Sequence, residues 1–319
     1  MNQRKLIKLG NSSFAIALPK QWVDKSGLKK GDSIFLEENN NGGLYISTEY
    51  SNGKSNSKEE INLDLKDKDD VSMQVNLIAA YLHDHNIFKI KNNLEHKKRV
   101  RVKELVKNLM SFEILEENKD EIKIKDVFSL EEADIKLFIR RVDNILRSFF
   151  EDIGESIKSG KLNKEIVNEM NLADKEITKL YLLIGRIFIK SLNNPSVLNS
   201  LKMNYLELFI SWWMSLHLEK IGDELKRIAA LAEKDPTILT SKFFINTLEK
   251  IKNNYFDCIN SYHKKDPNLT KSIIDSNFKI MDECNDVDPN NISIAKAAEK
   301  LKVAQDSIFQ ISKMIFYIN

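Results

Sequence analysis

From residue 129 to residue 319 the sequence is dominated by long amphipathic helical patterns, and these leave few fold classes open. Apolar residues recur three or four positions apart between Ile135 and Ile153, which is the spacing of one buried helix face. Ser129 and Glu132 have the spacing of a capping box, so the first helix is predicted to begin there. Five further helices are predicted at about 164–191, 199–233, 239–263, 269–284 and 292–317. Six helices with short connections predict an all-α bundle of two three-helix units.

Residues 58–128 have the mixed pattern of a small α/β module. The predicted elements are helices at 71–82 and 102–110, a strand at 87–90, and a hairpin that joins 112–115 to 122–127. The turn of this hairpin is highly charged. No residue of the module calls for a particular chemistry.

Residues 1–50 have the pattern of short strands and turns. The predicted strands cover 14–18, 34–36 and 44–46, and a short helix is predicted at 21–26. The segment Asn39–Gly43 contains only Asn and Gly, which accept positive φ, and predicts the turn of a hairpin. The polar segment Ser51–Ser57 predicts a linker. We therefore expect a multidomain chain that divides into residues 1–50, 58–128 and 129–319.

Composition excludes several classes of protein. Only 10 Gly and 5 Pro among 319 residues, with 42% hydrophobic residues, exclude collagen-like and wholly disordered chains. Two cysteines are too few for a disulfide framework, so a reducing compartment is expected. The longest uncharged apolar stretches, 9–19 and 208–218, are far shorter than the ~20 residues that span a bilayer. We expect a cytoplasmic protein without membrane insertion, and the absence of nucleotide-loop and serine-nucleophile motifs predicts that it is not an enzyme.

The net charge of +2 conceals an uneven distribution along the chain. Residues 1–30 contain seven Lys and Arg against the single acid Asp24, a net +6. Such a cluster suits a phosphate backbone, because each neutralised phosphate releases counterions, and a solvated basic surface is the alternative. A second basic run, Lys97–Lys103, raises residues 87–107 to +6 as well. This run extends a DNA footprint, binds an anionic effector, or is a solvated helix face.

Within the first basic segment, three features follow one another in order. They are the loop Gly10-Asn11-Ser12, a strand that ends at Pro19, and the turn Gly27-Leu28-Lys29-Lys30-Gly31-Asp32. On these features residues 3–48 resemble the AbrB/SpoVT/MazE domain. The resemblance implies a swapped-hairpin β-barrel, in which two chains interleave their hairpins into a homodimer that presents basic residues to DNA. The implied DNA-binding residues are Arg4, Lys5, Lys8, Asn11, Ser12 and Lys20.

The helical part carries a second resemblance. Glu219-Lys220-Ile221-Gly222-Asp223 lies late in the third predicted helix, and Leu180–Arg186 on the second reads Leu-Tyr-Leu-Leu-Ile-Gly-Arg. With the six-helix layout, these segments make residues 129–317 similar to PhoU, the phosphate-uptake regulator. The whole arrangement resembles archaeal phosphate-uptake regulators that fuse an AbrB-type domain to PhoU-like helices.

Glu219 and Asp223 are four residues apart, so both carboxylates lie on one helix face. Their oxygens suit a hard or borderline cation, and the same spacing fits a solvated helix whose acids pair with Lys and Arg. The PhoU resemblance implies metal clusters at repeated acidic motifs. On the last helix Asp306 keeps one acid of the motif, and Lys302 replaces the other. The resemblance thus implies a divalent or iron-type metal ion at Glu219, Asp223 and Asp306.

Both resemblances together predict a homodimeric DNA-binding transcriptional regulator of phosphate uptake. The barrel would contact DNA, and the helices would sense a metal, phosphate status or a partner protein. The alternative is a PhoU-type adaptor that does not bind DNA and docks on a phosphate transporter or a sensor kinase. In that case the barrel serves for dimerisation. A test of DNA binding therefore distinguishes the regulator from the adaptor.

Overall fold

The computed structural model describes residues 3–38, 43–48, 60–83, 85, 87–91, 93–127, 133–194, 196–264 and 266–318. The chain divides into an N-terminal unit, residues 1–56, and a C-terminal unit, residues 57–319. The predicted linker Ser51–Ser57 and most of the predicted turn Asn39–Gly43 lie outside the described residues. Within the described residues, no helix combines the length and the apolar character that crossing a membrane requires.

The described residues of the N-terminal unit form two hairpins and one short helix. Strands β1 (Ile7–Leu9) and β2 (Ser13–Ala15) pair antiparallel, with Lys8 opposite Phe14. Gly10, in the turn between them, has a φ of 67°, which glycine adopts without strain. Helix α1 (Lys20–Lys25) follows, and β3 (Phe35–Glu38) pairs antiparallel with β4 (Leu44–Ser47). The strand-rich character predicted for residues 1–50 is confirmed.

Two strands of this unit differ from the prediction. The sequence pattern does not predict β1, because three residues are too few to show an alternation of apolar and polar positions. The apolar run 14–18 is predicted as one strand, but β2 ends at Ala15. The swapped-hairpin barrel requires a second chain and stays a prediction.

Residues 60–126 form the predicted α/β module. Its elements are β5 (Glu60–Leu63), α2 (Asp70–Leu82), β6 (Ile87–Lys91), α3 (His96–Lys107), β7 (Phe112–Glu117) and β8 (Glu121–Asp126). The sheet has the order β5-β6-β8-β7, in which β5 and β6 are parallel and the other neighbours are antiparallel. The sequence pattern misses β5, and it places the start of α3 at Val102 because the basic residues before Val102 carry little apolar periodicity.

The core of the module lies between one face of the sheet and helices α2 and α3. Phe88 and Ile90 of β6 and Ile122 and Ile124 of β8 are buried, which is the period-two pattern of a sheet with one covered face. The helix residues packed against them include Met73, Leu77, Val102 and Val106.

The remaining chain is helical, as predicted. The helices are α4 (Ile135–Ser159), α5 (Lys164–Asn193), α6 (Ser196–Leu201), α7 (Tyr205–Lys234), α8 (Thr237–Thr240), α9 (Lys242–Lys264), α10 (Pro267–Asn285) and α11 (Ile292–Ile318). Helices α4, α5 and α7 pack on one another, and so do α9, α10 and α11, while α7 packs on α11. One apolar cluster runs through both groups.

Two predicted helix boundaries are wrong. Helix α4 begins at Ile135, after Asp134 caps it by accepting from the backbone N–H of Leu137; the predicted capping residues Ser129 and Glu132 lie outside the described residues. The helix predicted at 199–233 is broken, because Lys202 has a positive φ of 52° and Asn204 starts α7 with a capping box.

The α/β module is fixed to helix α5 by a buried ion pair. Arg186 Nη2 lies 2.7 Å from Asp126 Oδ2, and the two side chains are 4% and 7% exposed. The guanidinium carbon also lies 4.9 Å from the ring centroids of Tyr81 and Phe112. Leu182 of α5 joins the apolar cluster of the module. The C-terminal unit therefore contains both parts, and a domain boundary near residue 128 stays a prediction.

Candidate functional site

The residues predicted to bind DNA lie on and beside the first hairpin. Lys8 is on β1, Asn11 and Ser12 are in the turn, and Lys20 is the first residue of α1. The side chains exposed to solvent include all six predicted residues, Arg4, Lys5, Lys8, Asn11, Ser12 and Lys20. The turn places its polar side chains beside the basic strand, where a phosphate backbone could receive hydrogen bonds from both.

Within the described residues, the basic cluster has no neutralising partner. In the described part of the chain, the side chains of Arg4, Lys5 and Lys8 take part in no ion pair or hydrogen bond, and the same holds for Lys20. The first acid in the sequence is Asp24. Unpaired cations on one small unit produce a local positive potential, which attracts a polyanion.

The same unit exposes much of its apolar surface. None of its described residues is buried. Ile7 and Leu9 are more than half exposed, although the alternation along a strand places both on one face of β1. The other large apolar side chains that are more than half exposed are Leu6, Phe14, Ile16, Leu36 and Leu44. An apolar surface of this extent on a unit this small is typical of an interaction face.

The comparison with known families finds a match within this unit. Residues 7–54 match the family model of antidote-toxin recognition MazE, a bacterial antitoxin. This MazE-like segment covers nearly the whole N-terminal unit, and the resemblance to the AbrB/SpoVT/MazE domain is confirmed for it. No curated protein and no solved structure matches the chain significantly. The similarity of the C-terminal helices to PhoU stays a prediction. The structure is consistent with it only in that this region is helical.

The predicted metal residues Glu219 and Asp223 lie on α7, where it approaches α5. Gly222 permits this approach, because a Cβ there would come 3.0 Å from Ile177 Cδ1. The close packing places Asp174 of α5 beside the pair. Sequence reasoning missed the cation that joins them, which is Lys226: its Nζ lies 2.5 Å from Asp174 Oδ2 and 2.8 Å from Asp223 Oδ1.

Both oxygens of Asp223 are engaged by cations of the chain. Arg227 Nη2 lies 2.8 Å from Asp223 Oδ2, and Lys226 takes the other oxygen. The sequence carries the signal for this arrangement, because Lys and Arg follow Asp223 at spacings of three and four on one helix. Asp223 is thus neutralised by cations of its own helix, as the interpretation of a solvated helix with paired acids expects.

Glu219 differs from Asp223 in having no ion pair within the described residues. Burial, together with the negative charges of Asp223 and Asp174, raises the pKa of Glu219 to about 7 against the opposing charges of Lys226 and Arg227. Burial also raises the pKa of Asp174, against the effect of Lys226. Glu219 is therefore a carboxyl group with a raised pKa that lies beside two aspartates, Asp174 and Asp223, bridged by Lys226.

Asp306 lies on α11 and is not brought to this cluster. Its carboxylate accepts a hydrogen bond of 3.3 Å from Gln310 Nε2, and its charge acts on His217. The described residues contain no group of three or more His, Cys, Asp or Glu side chains placed to hold a metal ion. A divalent or iron-type ion at Glu219, Asp223 and Asp306 stays a prediction.

Two lysines of the second basic run, Lys97–Lys103 on α3, are bound to neighbouring groups of the module. Lys98 Nζ donates to the backbone carbonyls of Lys66 and Lys68 at 2.6 and 2.8 Å. Lys103 Nζ lies 2.6 Å from a carboxylate oxygen of a β7 glutamate. These contacts favour a structural role for the run over an extension of the DNA footprint.

Proposed function

We propose that the chain is a homodimeric DNA-binding regulator, and that the MazE-like segments of two chains form its DNA-contacting domain. The observation that carries the proposal is the coincidence of the family match at residues 7–54 with the exposed, unpaired basic cluster of residues 4–20. A phosphate backbone is the partner whose charge and repeat suit such a cluster. The side chains of Arg4, Lys5, Lys8, Asn11, Ser12 and Lys20 make the contacts.

Dimerisation is supported by the apolar surface of the N-terminal unit. A hairpin pair with no buried residue removes little apolar area from water, and burial of such area at about 25 cal/mol per Å² is the main source of stability. A second copy offers the same exposed side chains to interleave with them. The interleaved barrel implied by the family resemblance would bury Ile7 and Leu9, which share one face of β1, in this way.

The finer part of the proposal concerns what is regulated. The helices sense phosphate status, a metal or a partner protein, and the regulator controls phosphate uptake in the cytoplasm without catalysis. The support for this part is the resemblance of Glu219–Asp223 and of the helix layout to PhoU. The grouping of α4, α5 and α7 against α9, α10 and α11 is compatible with two three-helix units.

The test is chromatin immunoprecipitation with sequencing, followed by gel shifts of the full chain on the enriched DNA. We expect discrete bound sites, and phosphate-transport genes among their neighbours. With about six phosphates contacted, the logarithm of the binding constant should fall against the logarithm of salt concentration with a slope of about −5. Absence of a gel shift would contradict DNA binding, whereas bound sites unrelated to phosphate would contradict only the finer part.

A capture experiment distinguishes the adaptor from the DNA-binding regulator. An adaptor would retain a phosphate transporter or a sensor kinase after Arg4, Lys5 and Lys8 are replaced by Gln, because its helices make the contact. The proposed regulator loses its DNA targets in the same triple variant.

A further inference from the structure

A cavity of about 200 Å³ lies where helices α2, α3 and α5 meet. Its floor is made of four leucines that are at most 7% exposed, Leu77, Leu105, Leu109 and Leu182. The cavity opens to solvent at its rim, and leucines from the α/β module and from the helical part form its inner wall. A concave, mostly apolar surface of this kind is a candidate ligand site.

The rim of the cavity is polar and unengaged. Gln74, Asn108 and Lys175 line it. In the described part of the chain none of these three side chains takes part in a hydrogen bond or an ion pair. Lys175 is exposed and is the one charged residue among the described residues that line the cavity. The rim thus offers one cation and two amides, all free to bind a ligand.

The surface beside the rim is apolar. Val71 and Val75 of α2 and Leu172 of α5 are 70%, 59% and 65% exposed. Val71 lies three residues before Gln74, and Leu172 lies three residues before Lys175, so each adjoins a rim residue on its helix. An apolar approach that leads to a leucine floor past a single cation is complementary to an amphipathic molecule with one negative charge.

We propose that this cavity binds a small monocarboxylate with a compact ring or branched chain. Small-molecule sites are concave, mostly apolar, hold a few well-placed polar groups, and occur preferentially at domain interfaces. A cavity of about 150 Å³ is enough for a benzene molecule, so this one accepts a ring or branched chain with a carboxylate. The apolar part lies against Leu105 and Leu182, and Lys175 binds the carboxylate.

A ligand in this position contacts both the α/β module and α5. Binding would therefore strengthen the junction that Arg186 and Asp126 also hold, and it would raise the stability of the C-terminal unit by mass action. The inference goes beyond DNA binding and does not depend on it, because the site belongs to the C-terminal unit alone.

Isothermal titration calorimetry of the full chain tests the proposal without DNA. The probes are phenylacetate and 4-methylpentanoate, with phenylacetamide as the uncharged match. We expect saturable binding of at least one carboxylate. Lys175→Gln should weaken carboxylate binding about fivefold, in line with an exposed ion pair, and should leave phenylacetamide unaffected. Lys164→Gln, the same change at an exposed position on α5, is the control and should bind as the unmodified protein does.

Two variants fill the cavity, Ile78→Trp and Thr178→Met, and circular dichroism and thermal melting check that each is folded. Either folded variant should abolish binding of the carboxylates. No saturable binding of any probe up to its solubility limit overturns the proposal, and so does full binding by a folded filled variant. Because the titration contains no DNA, its failure leaves the proposed DNA binding unaffected.

Discussion

The two basic segments of the chain carry the same net charge in sequence and differ in what that charge is free to do. Residues 1–30 and residues 87–107 are each +6. In the first, Arg4, Lys5 and Lys8 are exposed and unpaired within the described residues. In the second, Lys98 is bound to two backbone carbonyls. A count of charges therefore does not identify a binding surface; the partners of each charge do.

The two units also differ in how far their apolar residues are buried. The C-terminal unit has one apolar cluster through its helices and another in its α/β module. The N-terminal unit has no buried residue among those described. The C-terminal unit therefore has apolar cores of its own, whereas the described part of the N-terminal unit has none. Each prediction below changes one side of this comparison.

The largest effect is expected at the buried pair of the C-terminal unit. Arg186→Met removes the guanidinium that pairs with Asp126 in a site where the Asp126 side chain is only 7% exposed. Breaking such a pair from one side typically destabilises a protein by about 3–5 kcal/mol. Urea unfolding of the full chain measures the loss. The control is Lys91→Gln, which removes an exposed pair with Asp64 and should cost no more than about 1 kcal/mol. Equal effects of the two variants would show that burial of the pair has no consequence.

The second effect concerns the basic cluster of the N-terminal unit. Replacing Arg4, Lys5 and Lys8 together by Gln removes three phosphate contacts, so the salt slope should fall by about 2.7 and affinity at about 0.1 M salt by at least a hundredfold. Fluorescence anisotropy on a bound site measures both.

The matched control makes the same charge change away from the cluster. Lys158, Lys161 and Lys164 are exposed around the α4–α5 connection. Their replacement by Gln should leave the salt slope unchanged. A similar loss in both triple variants would mean that overall charge, and not the hairpin, determines the affinity.

The helices could be predicted from the sequence because their apolar periodicity is long and local. Seven apolar positions between Ile135 and Ile153 repeat one spacing, and α4 carries the stripe that this predicts. The breaks were not accessible in the same way. Lys202 adopts a positive φ that its residue type does not favour, and the capping box at Asn204 falls within an otherwise continuous pattern.

Short strands and charge partners are set by contacts that are remote in sequence. Strand β5 has four residues and gains its hydrogen bonds from β6, beyond an intervening helix. The composition of residues 1–30 predicted the position of the basic cluster. No local pattern could show that Lys98 reaches the carbonyls of Lys66 and Lys68, or that Arg186 meets Asp126.

A third, smaller effect depends on pH. Burial and the nearby Lys220 together lower the pKa of His217 from 6.5 to about 4, against the charge of Asp306. Because the folded pKa lies below the unfolded one, protonation favours unfolding, and stability falls as pH decreases from about 6.5 towards 4. Between about pH 7.5 and pH 5, the full chain should lose about 1–2 kcal/mol more than His217→Leu does.

Urea unfolding at both pH values makes that comparison. His96→Leu, at an exposed position on α3, is the control and should show the same pH dependence as the unmodified chain. If His217→Leu also retains the full pH dependence, the buried imidazole is not its source.

The smallest expected effect is the sharpest test of the comparison between the two basic segments. The double variant Lys98→Gln, Lys103→Gln removes two positive charges from α3, one fewer than the triple variant removes at the first hairpin. Because Lys98 binds backbone carbonyls and Lys103 is paired with a glutamate, neither is available to a phosphate. DNA affinity should therefore stay within about twofold, and the salt slope should not change. A slope reduced by about 1.8 would instead place both lysines on the DNA and make the α/β module part of the footprint.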